Sequence, residues 1–192
     1  MKKWAFAAIF TLMTLFSACG ENASQRAEEA AVFYSECKAF ESVAEITMDH
    51  GDYVTEYVLS HSYAENTHTV SVVEPLSLSG LSMTFDGETA ELRFKDALFI
   101  PPSLHGTKAT PLKLLPDMLE SLMRGTYEAP CAIEYNGEKC VSFGMWNTVD
   151  GEEIMYRVIL SGKTLDLIHA EAFHDGRAVL TADYTEVLTV KD

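Results

Sequence analysis

Positive charge is scarce in this chain: 14 lysines and arginines stand against 29 aspartates and glutamates, a formal net charge of −15 over 192 residues. A nucleic-acid backbone needs a basic face, so nucleic acid is excluded as a partner. Adsorption to anionic lipid through charge is excluded for the same reason. The apolar stretch from Trp4 to Phe16 is shorter than the roughly 20 residues that a membrane-spanning helix requires. Cysteine is scarce too: beyond Cys19 the chain has only Cys37, Cys131 and Cys140, an odd number that allows at most one disulfide within the chain. The motifs that announce common enzymes are missing as well. There is no His-Glu-x-x-His, no Gly-x-Ser-x-Gly, no phosphate loop and no dinucleotide fingerprint. The sequence offers no enzyme.

What is present begins at the N-terminus. Met1-Lys2-Lys3 supplies charge, Trp4 to Phe16 an apolar core, and Ser17-Ala18 the small residues of an export cleavage site. Leu15-Phe16-Ser17-Ala18-Cys19 resembles the lipobox of bacterial lipoproteins, with Phe16 standing where leucine is usual. The resemblance implies that residues 1–18 are removed and that Cys19 is acylated as the mature N-terminus. Each acyl CH₂ contributes about 0.8 kcal/mol when buried in a bilayer, so several chains hold firmly. The expected partner is therefore the cell membrane or outer membrane, reached through lipid on Cys19, with the domain on the extracytoplasmic side. No cofactor is expected beyond that covalent lipid, and no metal.

Without the first 18 residues and their two lysines, 14 cations become 12 against 29 acids, and the charge falls to −17. The remaining length suits one domain with a sizeable core. Residues 19–29 are polar and are expected to form a lipidated tether, leaving 30–192 as the domain. Glu28 to Phe40 is expected to hold a short helix. Of the remaining cysteines, Cys131 and Cys140 flank an Asn136-Gly137 turn. Hairpin register sets Cys140 opposite Ile133 and Cys131 on the diagonal, longer than the disulfide optimum. Cys37 reads as a small buried hydrophobe.

Most of the rest reads as strand. His50-Gly51, Asp86-Gly87, Asn136-Gly137, Asp150-Gly151 and Asp175-Gly176 fall between alternating apolar runs, the pattern of hairpin turns. Folding about Asp86-Gly87 puts Leu81, Met83 and Phe85 on the face of Ala90, Leu92 and Phe94. Folding about Asp150-Gly151 joins Val141, Phe143 and Met145 to Tyr156, Val158 and Leu160. About Asp175-Gly176, Leu167 and Phe173 are expected to share a face with Ala178, Leu180, Ala182 and Tyr184. A one-residue slip would invert every side chain, so this agreement predicts an antiparallel sheet with one buried face.

Ala109 to Met123 differs, with Leu112, Leu115, Met118, Leu119 and Leu122 at helical spacing. Pro116 predicts a break, and a helix from about Leu115. The sheet's apolar face is the surface available to its stripe. The predicted class is mainly β (α+β): a strongly curved antiparallel sheet, an incomplete barrel, with a short N-terminal helix and one amphipathic helix on its concave face.

That arrangement resembles the LolA/LolB superfamily of lipoprotein carriers and receptors. The local resemblance lies in Met155 to Leu160, Lys163-Thr164, Ala170 to Gly176 and Val179 to Tyr184. Lipidation makes the chain more similar to LolB, and Leu98 to Leu104 is the nearest match to an apolar membrane-facing loop. The resemblance implies a non-enzymatic envelope lipoprotein that binds apolar ligands or the acyl chains of another lipoprotein. Related lipoproteins in spore-forming bacteria imply an alternative, a docking platform for a cell-wall enzyme with no ligand cavity in use. The candidate ligand or lid residues are Leu115, Met118, Leu119 and Leu122, with Cys19 as the lipid site. His50, His61 and His68 read as solvated turn residues rather than metal ligands. His169 and Glu171 are expected on the apolar face beside Leu167, Phe173 and Leu180.

Overall fold

The computed structural model describes residues 22–86, 89–99, 110–149 and 151–191. The chain starts with helix α1 (22–35) and passes into a meander: β1 (Cys37–Asp49), β2 (Val54–Ala64), β3 (Thr67–Glu74), β4 (Leu81–Phe85), β5 (Ala90–Phe94) and β6 (Ala97–Phe99). Helix α2 (Pro111–Arg124) follows. A second meander runs through β7 (Glu128–Tyr135), β8 (Glu138–Val149), β9 (Glu152–Ser161), β10 (Leu167–His174) and β11 (Arg177–Lys191). All strands join one antiparallel sheet in the order β6-β5-β4-β3-β2-β1-β11-β10-β9-β8-β7. The first and last strands pair in the middle, while β6 and β7 form the two edges. The sheet is therefore an open half-barrel, and the segment joining its edges carries α2.

The turns explain the register. Asn136-Gly137 and Asp175-Gly176 both hold positive φ and leave Tyr135 opposite Glu138 and His174 opposite Arg177. Gly151 does the same between Val149 and Glu152. One two-residue turn, Glu65-Asn66, has no glycine; φ values of 52° and 62° connect Ala64 to Thr67. The expected shared faces are both present, with Met83 opposite Leu92 and Phe143 opposite Val158, although Phe85 pairs with Ala90 across a connection two residues longer than an Asp86-Gly87 turn alone.

Two β-bulges overturn part of the expected third hairpin. Val179 is the extra residue where Ala172 pairs with Leu180 and Phe173 with Ala178. Ile168 is extra where Leu167 pairs with Leu160 and His169 with Ile159. Each extra residue shifts the side-chain phase by one and bends the strand. Leu167, Leu180 and Ala182 therefore stay in the core, while Phe173, Ala178, His169 and Glu171 move to the convex face.

Both helices differ from the expected bounds. Residues 22–29, expected in the tether, are the opening turns of α1, and Cys37 to Phe40 already belong to β1. Ala23, Ala27, Ala30 and Tyr34 form a buried helical stripe whose small side chains allow close packing, and Tyr34 Oη donates to the Leu165 carbonyl at 2.9 Å. Helix α2 begins at Pro111 and runs through Pro116 without a break. An internal proline costs about 3 kcal/mol. Burial of Leu114, Leu115, Met118, Leu119 and Leu122, each worth roughly 1.5–3 kcal/mol, outweighs it. The helix ends at Gly125 (φ 70°), whose Cα faces the Ala31 methyl of α1 at a separation that leaves a β-carbon only 3.1 Å.

Gly162 makes the tightest approach between turns. It donates to the Lys139 carbonyl at 2.9 Å, and a β-carbon there would lie 2.4 Å from that oxygen. Arg26 of α1 donates to the Gly162 carbonyl, so one glycine joins α1 to two hairpin ends. Gly162→Ala is expected to cost about 1–3 kcal/mol in urea unfolding, because the backbone must part to admit the methyl group. An unchanged midpoint would show that these turns are not in contact.

Candidate functional site: the helix-covered concave face

The concave face is lined by alternate residues of the strands: Phe40, Ala44 and Ile46 of β1, Leu59 of β2, Val70 and Val72 of β3, Phe143 and Met145 of β8, Tyr156 and Val158 of β9. Helix α2 rests on it, touching β1, β3 and β8. Leu115, Met118, Leu119 and Leu122 point into this core with Leu114, none more than 2 % exposed. The apolar stripe fills the hollow of the half-barrel.

The other flank of α2 carries Lys113, Asp117, Glu120 and Arg124, spaced so that they align along one side. Two of them hold the helix to opposite walls. Asp117 accepts from Tyr156 Oη of β9 at 2.6 Å and from the Asn147 amide of β8. Burial raises the Asp117 carboxyl above the usual range, against the lowering effects of the Tyr156 bond and Arg124. Glu120 lies 3.5 Å from His68 Nε2 on β3, and that contact holds its carboxyl low. His68 Nδ1 in turn lies 3.1 Å from His61 Nε2 on β2. Between these two ties opens a cleft of about 200 Å³, where Met83 and Phe85 of one meander face Thr148 and Val149 of the other beside Pro116.

The histidine pair corrects the sequence reading. His61 and His68 are not solvated turn residues; each is 2 % exposed and they stack with ring centroids 5.3 Å apart. The glycine-free turn at Glu65-Asn66 places both in the inward phase, His61 between Leu59 and Tyr63, His68 beside Val70. The alternation Leu59-x-His61-x-Tyr63 and His68-x-Val70-x-Val72 was the available signal. Asp117, Asn147 and Tyr156 carried none, because their meeting depends on where α2 lands.

No family model and no curated protein matches the sequence. Solved structures do. A domain from Vibrio parahaemolyticus named for outer-membrane lipoprotein sorting aligns with a TM-score of 0.51 at 9 % identity, over 88 % of this chain and 93 % of that one. A LolA superfamily protein from Nitrosomonas europaea aligns at 0.44 and 13 % identity, covering 88 % and 94 %. Lipoprotein LppX of Mycobacterium tuberculosis aligns at 0.44 and 9 %, covering 85 % and 92 %. The fold is LolA/LolB-like. At these identities the likeness is one of architecture, and the residues of the site must be argued from their own geometry.

Elsewhere on this LolA/LolB-like half-barrel the candidates scatter. His50 lies in an exposed turn, stacked on Tyr53 and 3.0 Å from Thr55 Oγ1. His169 and Glu171, expected inside, stand on the convex face, His169 against Asp183 at 2.7 Å and Glu171 against Arg157 at 3.4 Å. Cys37, Cys131 and Cys140 are free thiols, and Cys140 lies opposite Ile133. Among the described residues no group of three histidine, cysteine or acidic side chains is placed to hold a metal ion. No described helix is long and apolar enough to cross a membrane. Cys19 and residues 100–109 lie outside the described residues; Leu98, the first residue of the segment expected to face a membrane, is on edge strand β6 and half exposed.

Burial, and secondarily His68, pushes the His61 imidazole from 6.5 down to about 3. The unfolded chain therefore takes up a proton in that window that the folded chain refuses, and stability falls as pH drops from about 6.5 towards 3. Asp117 opposes this, since a raised carboxyl binds its proton more readily when folded. His61→Leu should flatten the decline of unfolding free energy with falling pH, measured by urea titration across the window. An identical slope in the variant would refute the role of His61.

Proposed function

We propose that this protein is a lipid-anchored, non-enzymatic envelope protein that takes an apolar ligand, acyl chains above all, onto its concave face in exchange for α2. One observation carries the reading. Helix α1 packs its small-residue stripe into the same core, but the apolar face over β1, β3 and β8 is covered by α2, held at its flank by two polar ties, Asp117 to β8 and β9 and Glu120 to β3. The stripe of Leu115, Met118, Leu119 and Leu122 occupies the volume that an acyl chain would need, while the remaining cleft of about 200 Å³ is too small for one. Ligand entry then requires α2 to withdraw, and the cleft beside Met83, Phe85 and Pro116 is where a chain would first insert. The resemblance in fold to a domain named for lipoprotein sorting fits this reading. Anchoring through Cys19 would set the domain on the extracytoplasmic side of a membrane.

A second reading has its own observation. The convex face of β7 to β10 forms an open trough of about 690 Å³, floored by Ile133, Met155 and Ile159 and edged by Trp146, which is 57 % exposed. Exposed apolar surface of this kind suits a protein partner, with the concave core as permanent filling.

Titration with an environment-sensitive acyl dye separates the two. The carrier reading expects dye uptake by the wild type and severalfold more by Asp117→Ala, which frees one tie. Leu119→Ala, at a fully buried site, is expected to cost about 2–5 kcal/mol if α2 never leaves the core. That full loss, together with no dye uptake by either protein, would leave the docking platform. For the anchor, Cys19→Ala should move the protein from the membrane fraction to the soluble one; retention in the membrane would sink the lipid assignment.

A further inference from the structure

Three buried side-chain atoms have no hydrogen-bond partner among the described residues: His61 Nδ1, Tyr184 Oη and Thr189 Oγ1. Unpaired buried polar atoms are uncommon in folded proteins, and each calls for a reason. These three share one region. His61 pairs with Ser42 across β1–β2, while Tyr184 pairs with Ala44 and Thr189 with Phe40 across β1–β11. All therefore project on the concave side, flanking β1 where its own side chains Ser42 and Ala44 are small.

The tautomers follow from the partners. Glu120 is a carboxylate and accepts, so His68 Nε2 carries a hydrogen. His68 Nδ1 is then a lone pair and accepts from His61 Nε2–H at 3.1 Å. Neutral His61 is left with a bare lone pair at Nδ1, a buried acceptor without a donor. If α2 withdraws, Glu120 leaves with it, and His68 Nε2–H becomes a free donor. The opened face thus offers one acceptor and one donor on adjacent strands in an otherwise apolar surface.

We propose that this face selects an amphiphile whose acyl chain is joined to an amide or an alcohol, with His61 Nδ1 accepting the ligand's N–H or O–H. The inference rests on the carrier reading above and names its ligand class. An ester or a bare alkyl chain cannot donate to His61. A carboxylate has no hydrogen to donate and leaves the His61 acceptor unpaired as well.

The test uses the full chain in non-ionic detergent held below its micelle concentration, with a bound acyl dye displaced by dodecanoyl ethanolamide or by methyl dodecanoate. The two carry the same acyl chain, and only the first can donate. The amide is expected to bind roughly tenfold tighter, the worth of one satisfied buried acceptor. His61→Leu should bring the two affinities together. In the wild type, nitrogen NMR of labelled histidines should show the His61 Nδ1 signal moving with the amide and not with the ester, which decides the matter even if the variant fails to fold. Equal affinities in the wild type, or an unmoved His61 signal, would overturn this inference and leave the carrier reading intact. Binding of neither probe would overturn both.

Discussion

Strands β1 and β11 come from opposite ends of the domain, and their ladder runs from Cys37 opposite Lys191 to Met48 opposite Leu180. Every other ladder in the sheet joins neighbours in sequence, closed by a short turn. This one joins two meanders that would otherwise be separate half-sheets, each with an apolar face and nothing to cover it. It also determines where the free edges fall. With β1 and β11 central, β6 and β7 must be outermost. The connection between the meanders then has to pass from edge to edge, and α2 lies across the hollow because its apolar stripe is buried there against the concave face.

The position of α2 converts a sheet with one greasy face into a closed core. Its apolar stripe is a generic solution to burial, whereas its polar flank is specific. Asp117 reaches β8 and β9, and Glu120 reaches β3, so the helix is held to a wall of each meander by a buried or half-buried acid. Polar ties of this kind contribute little net stability compared with the stripe, yet they define one seating of the helix. On the carrier reading proposed above, it is this helix, held by apolar packing and positioned by a few hydrogen bonds, that a competing apolar chain replaces. The same geometry explains why the interior has so little free volume.

The buried histidines show how local and tertiary constraints meet. His61 and His68 are where strand alternation demands inward side chains, and an imidazole there must find a partner. They find each other and then Glu120, a residue from a helix some fifty positions further along the chain. The chain of bonds ends on an unsatisfied nitrogen, His61 Nδ1, an uncommon state for a buried polar atom.

Much of the fold was legible in the residues. The X-Gly turns and the alternation around them specified the hairpins, because a period-two pattern tolerates no slip, and the spacing of Leu115, Met118, Leu119 and Leu122 specified the helix. The sequence could not reveal the bulges at Ile168 and Val179, which arise from how strands must bend to curve the sheet and which sent His169 and Glu171 to the convex face. Nor could it reveal that α2 runs through Pro116, since the compensation comes from burial against strands distant in the chain. The ties of Asp117 and Glu120 were equally hidden. Local periodicity is a property of consecutive residues and can be read directly; the meeting of α2 with both walls depends on the pairing of β1 with β11, and only the folded chain decides it.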